Sequence, residues 1–426
     1  MLWGTTGNGR ASRRGETVRP RREEALLSTA GSIVLLAAAV AALIWLPRIG
    51  FLVPPALGAV AIGAGLLAPR AGLHALSPLL APLGFVLAAV PLAVLLDELG
   101  FFEELARRIG AGRHYLGACW VLAGLVTMLL NLDAAVVMLT PLYLRLAERR
   151  RVDALALCLQ PLLLSCLASS ALPISNLTNL IATPALGLSS VGFLMHLGLP
   201  TLAATAVGWL AYLRLPQVAG VAAIAPTPSS RLSADRRALV LGGIIVAACV
   251  TGFLATSDLG GSPWEVAVGG DLVLVALTRR LPLRVVPWKS VGTVLGLGAL
   301  AAAIAHQLSL ASLFGSSSPL GMLRDLGMLS VGANALNNLP ALLVSLPHLS
   351  AHPSWSTWAV LLGANVAPLA LPSGTLASLL WLETVRRLGV PFGEREYLGL
   401  AWKVALPALV AAAAALVALR ALLATP

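Results

Sequence analysis

The apolar positions of this chain fall in long unbroken runs, neither alternating as in a half-buried strand nor confined to one helical stripe. Runs at 28–46, 51–68, 78–97, 194–214, 238–256, 263–278, 290–308 and 397–421 read as single membrane crossings, since about twenty apolar residues span a bilayer as a helix. Four longer runs carry polar islands in their middles. In 115–147 the island is Asn131-Leu132-Asp133, and in 153–190 it is Pro173-Ile174-Ser175-Asn176-Leu177-Thr178-Asn179. In 316–347 it is Asn337-Asn338-Leu339-Pro340, and in 355–388 it is Pro372-Ser373-Gly374-Thr375. The piece Phe101 to Arg108 is short and amphipathic, as suits a helix lying along the membrane surface.

Arginines stand at both ends of 115–147: Arg107, Arg108 and Arg113 before it, Arg145 and Arg149 to Arg151 after it. Positive charge is retained on the cytoplasmic side, so this segment enters and leaves by one face with Asn131 to Asp133 at its tip. Such a re-entrant hairpin is tolerated where its non-helical backbone lines protein or a water-filled cavity. Residues 316–347 form the matching hairpin. The runs 153–190 and 355–388 are expected as broken helices, because proline lacks an amide donor and strains a helix. A polar tail, 1–27, precedes the first half, 28–214. A Pro/Ser/Thr/Arg-rich linker, 215–237, then leads to the second half, 238–421.

The second half repeats the order of the first. Asn131 to Leu139 aligns with Asn338 to Leu346 at a shift of 207, and Ala171 to Leu180 aligns with Ala370 to Leu379 at a shift of 199. Each half holds five crossings and one hairpin, and an odd number of crossings inverts the second copy. The predicted fold is an all-α polytopic membrane protein of about ten transmembrane helices plus two re-entrant hairpins, in two inverted repeats. In this layout most arginine clusters share the cytoplasmic side, Arg48 and Arg386, Arg387 and Arg395 among them. Arg70, Arg324, Arg420 and the arginine-rich tail fall on the other side.

Composition narrows the function. With 58% hydrophobic and 11% charged residues the chain is no soluble enzyme, whose charged share runs near 25%. Its net charge of +11 sits in short clusters between apolar runs, which reads as membrane topology, with no nucleic-acid partner expected. Only Lys289 and Lys403 of the 29 basic residues are lysine. Cys119, Cys158, Cys166 and Cys249 lie in apolar segments without metal or disulfide spacing, and none falls in a polar island, so no metal site and no cofactor are expected. A membrane-embedded enzyme is disfavoured because no HExxH, GxSxG or phosphate-loop pattern occurs. Matched intramembrane breaks argue against a passive scaffold. Inverted repeats with interrupted helices are instead a building plan of secondary transporters, whose site forms near the bilayer midplane.

The candidate residues follow from that plan. Asn131, Ser175, Asn176, Thr178, Asn179, Asn337, Asn338, Ser373, Gly374, Thr375 and Ser378 offer amides, hydroxyls and backbone groups where helices open, suited to a polar, oxygen-bearing solute. A carboxylate inside the membrane costs about 2.5–3.5 kcal/mol on insertion scales. Asp133 is therefore a candidate for proton coupling, with Asp97 and, at the corresponding place of the second half, the titratable His306 beside it.

At these residues the chain resembles the ArsB-type arsenite permeases of the ion transporter superfamily. The matching pieces are Leu96 to Glu103, Asn131 to Pro141, Pro173 to Ile181, Asn337 to Pro340 and Gly363 to Pro368, the last continuing through Ser373 to Trp381. The resemblance runs through residues 30–420. It implies a multi-pass protein of the plasma membrane that exports arsenite and antimonite as hydroxides against proton uptake. It also implies an elevator or rocking scaffold and, in some members, a cytosolic ArsA-like ATPase as partner. The family places Asn directly before Asp, where this chain has Asn131-Leu132-Asp133. Arsenous acid is uncharged near neutrality, so amides and hydroxyls suit its three OH groups. A sodium- or proton-coupled carboxylate or sulfate transporter, or a sodium/proton antiporter, of the same superfamily is the alternative.

Overall fold

The computed structural model describes residues 18–46, 49–112, 114–219, 236–259, 261–308, 313–315, 318–349 and 353–423. Arg48, Arg113, Arg231, most of the polar tail and most of the linker lie outside the described residues. Among the described residues there are helices and no strand.

The first half runs α1 (Val18–Trp45), α2 (Val53–Gly63), α3 (Pro69–Leu76), α4 (Leu80–Glu98) and α5 (Phe101–Ala111). It continues through α6 (Tyr115–Leu129), α7 (Leu132–Arg150), α8 (Ala154–Leu167), α9 (Leu177–Ala185), α10 (Ser190–Tyr212) and the short α11 (Pro216–Ala219). The second half runs α12 (Arg236–Leu259), α13 (Pro263–Thr278), α14 (Trp288–Gln307), α15 (Pro319–Leu336), α16 (Asn338–Ser345), α17 (Trp355–Val366), α18 (Leu376–Arg387) and α19 (Glu394–Leu423). Helix α1 starts ahead of the expected boundary at residue 28, so part of the expected polar tail is helical.

Six helical stretches are long and apolar enough to cross a membrane: Leu27–Trp45, Pro69–Glu98, Ser190–Tyr212, Arg236–Thr256, Leu283–Gln307 and Glu394–Leu423. The other crossings are shorter or made of two pieces. They are the run Gly50–Gly63, α13, and the broken pairs α8–α9 and α17–α18. The chain is an all-α polytopic membrane protein. Helix starts follow local chemistry: Ser318 and Ser189 accept from the amides of Gly321 and Gly192, at 3.1 and 3.0 Å, and Ser354 with Thr357 forms a capping box.

The two halves exchange partners. Helix α2 packs on α14, and its equivalent α13 packs on α4, the equivalent of α14; α10 and α19 pack along each other. Small residues allow these crossings. A Cβ on Gly296 of α14 would run into the backbone of Pro54 and Pro55, and one on Gly270 of α13 would press on Leu92 and Cys249. Helices α8 and α17 form the dry centre, buried from Ala156 to Leu167 and from Ser356 to Val366.

Candidate functional site

Both hairpins turn on an asparagine. Asn131 caps α7: its Oδ1 accepts from the Asp133 amide at 2.8 Å while its Nδ2 donates to the Ile174 carbonyl at 3.4 Å. Asn337 caps α16 in the same way, accepting from the Leu339 amide at 3.4 Å and donating to the Ser373 carbonyl at 2.9 Å. Its φ of +79° with ψ of 149° is a backbone setting that side-chain-bearing residues rarely adopt. Each tip is thereby tied to the break of its own half. This pairing corrects the letter alignment by one residue: the counterpart of Asn131 is Asn337, while Asn338 is the buried first residue of α16. Asp133 then stands opposite Leu339, so only the first tip carries a carboxylate.

The first break is buried, and most of its polar groups bond within the protein. Ser175 donates its one proton to the carbonyl of either Ser169 or Leu172, each at 2.6 Å, and Asn179 donates to the same two carbonyls at 2.8 and 3.1 Å. These are the backbone acceptors that the opened helix frees, and the side chains satisfy them as buried polar groups require. Asn176 caps α9 by accepting from the Thr178 amide at 3.2 Å. Asn365 of α17 reaches in from the other half. Its Oδ1 accepts from Asn176 Nδ2 and Thr178 Oγ1, each at 2.8 Å, and its Nδ2 donates to Asn179 Oδ1 at 2.7 Å.

The second break is built more lightly. Thr375 caps α18, accepting from the Ser378 amide at 3.0 Å, and its hydroxyl pairs with that of Ser378 at 3.0 Å. Tyr397 of α19 donates at 3.1 Å to either Ser378 Oγ or the Leu369 carbonyl. Asn334 donates to the Ala367 carbonyl at 3.0 Å, and Ser373 Oγ to the Asn334 carbonyl at 3.4 Å. Gly374 lies so close to the Pro368 carbonyl that no Cβ fits. Leu371, Pro372 and Ser373 are half-buried, whereas the first break is buried from Ser169 to Asn176.

Among the described residues, several buried polar atoms have no partner, and three belong to the first half's tip and break: Asp133 Oδ1, Thr127 Oγ1 and Ser170 Oγ. Buried groups without a partner are rare and mark places where a ligand or water completes the bonding. No cluster of His, Cys, Asp or Glu among the described residues is arranged to hold a metal ion.

The structure does not bring the other two proton-coupling candidates to the breaks. Asp97 ends α4 within the electrostatic reach of Arg145, Glu98 and Glu103. Arg145 is twelve residues along α7 from Asp133, about 18 Å at the helical rise. His306 is exposed in the last turn of α14, where its neighbour Gln307 bonds Ser32 Oγ and the Leu66 carbonyl. No cysteine falls within a polar island of the sequence, but the fold brings one to a break. Cys166, three residues before Ser169, is buried against Thr375 of the second break.

At the charged end of α7, α5 is a short amphipathic helix, as its pattern predicts. Glu104 pairs with Arg107 at 2.6 Å and Arg108 at 2.8 Å, and these guanidinium groups hold its carboxyl down at about 2. Arg149 reaches Glu103 at 3.2 Å, and Arg280 reaches Glu98 at 3.5 Å. The sequence reading missed Asn334, Tyr397 and, as a site residue, Asn365. The available signal was an amide within the apolar run 355–366, since polar side chains in membrane helices bond across to neighbours.

A family model described as "Citrate transporter" matches residues 24–382. The arsenical pump membrane protein of Yersinia enterocolitica is 27% identical over 372 residues, covering 78% of this chain and 84% of that protein. The arsenical pump membrane protein of Escherichia coli (strain K12) is 26% identical over 371 residues, with the same coverage. The crystal structure of the YdaH transporter of Alcanivorax borkumensis, described as having an unusual topology, matches with a TM-score of 0.50 at 18% identity, over 79% of this chain and 85% of that one. That likeness is one of fold. The resemblance to arsenite permeases read from five motifs is borne out by the relatives, and the chain belongs to the citrate transporter family of multi-pass membrane transporters.

Proposed function

We propose that this secondary transporter exports trivalent arsenic and antimony as hydroxides across the plasma membrane in exchange for protons. The observation that carries the reading is the unpartnered, buried Asp133 Oδ1 at a hairpin tip beside two matched helix breaks. In this reading α6–α7 and α15–α16 are re-entrant hairpins, the first opening to the cytoplasm and the second to the outside. The amides and hydroxyls of Asn131, Ser175, Asn176, Thr178 and Asn179, with Thr375 and Ser378 across from them, hold the solute's OH groups. Asn337, Asn338, Ser373 and Gly374 shape the second tip and break. Asp133 takes the proton on the outward side and releases it inward. One charge moved per turn is worth about 2.3 kcal/mol per 100 mV of membrane potential, so the gradient drives export and a cytosolic ATPase is an added, separable driver.

The test is uptake of trivalent arsenic into everted membrane vesicles held inside-acid and inside-positive, wild type against Asp133→Asn. Accumulation that collapses with a protonophore and in the variant supports the reading. Absence of uptake by folded protein in vesicles that hold the gradient overturns it. The second reading, ion-coupled carboxylate transport, is favoured by the description of the matching family and by Lys289, which has no acidic partner among the described residues. Sodium-dependent citrate uptake in the same vesicles decides for it.

A further inference from the structure

A cavity of about 660 Å3 separates α18 from the start of α14 and the end of α1. One wall is the flank of α18 from Leu376 to Arg387, a length of about 16 Å at the helical rise, or half the hydrocarbon thickness of a bilayer. The other wall holds Leu43, Phe51, Ser290 and Thr293. At the mouth, Arg386 pairs with Glu394 at 3.4 Å and Arg387 with Glu383, while Lys289 Nζ lies over the Phe51 ring at 4.4 Å. The inner end is Leu376, the residue after Thr375, and α1 touches the Pro372–Gly374 turn beside it. The cavity therefore runs from a charged mouth to the second break and stops there.

The corresponding place in the first half is shut. Helices α4 and α9, the equivalents of α14 and α18, are in contact, and Leu83 packs with Ile181 in one apolar cluster. Two halves of like construction thus differ at this place, one pair of helices parted and the other closed. In a transporter built of inverted repeats, such a difference is what separates the side that is open from the side that is sealed.

We infer that the cavity along α18 is the passage by which a small, oxygen-rich solute moves between the cytoplasm and the second break, and that the closed α4–α9 contact is its outward counterpart. This rests on the transporter reading above. The basic residues Arg280, Lys289, Arg386 and Arg387 put the mouth on the cytoplasmic side. Ser290 and Thr293 give the passing solute hydroxyl contacts on a wall that is otherwise largely apolar.

Thiol labelling tests it. The four native cysteines are buried, so the unaltered chain supplies the background. Leu379→Cys in the cavity and Leu180→Cys at the matching place of α9 are each treated with a membrane-impermeant maleimide, in everted and in right-side-out vesicles. Leu379→Cys is expected to label in everted vesicles at least tenfold faster than Leu180→Cys, and a bulky maleimide there to block solute flux. Equal rates, labelling from the outer face alone, or labelling only after denaturation overturn the passage, as does flux unchanged by the bulky group. If the unlabelled variants and wild type move neither arsenite nor citrate, the proposed function fails while the labelling contrast still decides the passage.

Discussion

The two helix breaks occupy equivalent places, and the chain treats them differently. The first is buried throughout, its freed carbonyls filled by Ser175 and Asn179 and its side chains held by Asn365 from the opposite half. In the second, Thr375 and Ser378 bond each other, Ser373 is half-buried, and a cavity reaches the neighbouring Leu376. The seat equivalent to Asn365, at the 199-residue shift, is Cys166, which offers Thr375 a thiol where Asn365 offers an amide. A thiol is a weak donor and acceptor. The first break is therefore locked across the interface between halves, and the second is left free to open.

Breaking the lock is the largest effect expected. Asn365→Ala strands Asn176 Nδ2, Thr178 Oγ1 and Asn179 Oδ1 in a dry core, at about 1–3 kcal/mol for each unsatisfied group. That sum is a large share of a stability of about 5–15 kcal/mol. Cys166→Ala, in the equivalent seat, should cost only about 1 kcal/mol. Thermal unfolding of both variants in detergent checks the contrast, and equal midpoints would show that Asn365 is no lock.

How much of this was legible in the letters depends on what each feature needs. Crossings, breaks and hairpin tips were readable because each rests on local composition: apolar length, a proline, an asparagine at a turn. The contribution of Asn365 to the first break was not, because its partners are about 190 residues away and only the exchange of helices between halves brings them together. The same exchange set Cys166 against Thr375. His306 and Asp97 were chosen for matching positions in apolar runs, but sequence position does not say which face of a helix turns inward. The one-residue slip at the second hairpin came from common Leu and Ala matches outweighing the cap geometry of Asn337.

A smaller effect separates Ser175 from Gly374, which hold equivalent positions. Gly374→Ser places a Cβ against the Pro368 carbonyl, where backbone rather than a flexible side chain must give. Overpacking of this kind costs about 1–3 kcal/mol, and flux should fall about tenfold as the second break loses its range of motion. Ser175→Gly removes one donated hydrogen bond, yet Asn179 still donates to the same Ser169 and Leu172 carbonyls. It should lower the unfolding midpoint slightly and, by removing one hydroxyl of the proposed solute site, reduce flux less than Gly374→Ser does. Vesicle transport by the two variants tests this, and a reversal of their order would remove the distinction between a locked and a mobile break.

Smaller again is the effect of charge at the second break's passage. Lys289→Glu exchanges a cation with no acidic partner among the described residues for an anion, and should lower the flux of an anionic solute several-fold while leaving a neutral hydroxide unaffected. The difference should shrink as salt rises, since screening acts over about 8 Å at physiological ionic strength. Equal loss for charged and neutral solutes would instead make Lys289 a packing residue over Phe51.

The smallest effect is expected at Glu104, on the amphipathic helix α5. Its carboxyl is held at about 2, below the ordinary 4.5, by Arg107 and Arg108. A depressed value means that the pairing contributes fully above 4.5 and is lost as pH falls from there toward 2. Between pH 5 and 8 the group stays ionised, so Glu104→Gln should shift the unfolding midpoint by a small and constant amount across that range, converging with wild type only as pH falls from 4.5 toward 2. Asp133 has no such cationic partner among the described residues: its Oδ1 is buried and unpaired there. The pH dependence of transport between 5 and 8 should therefore survive Glu104→Gln and vanish in Asp133→Asn. A flattened profile in the Glu104 variant would move proton coupling out of the first tip and onto the membrane surface.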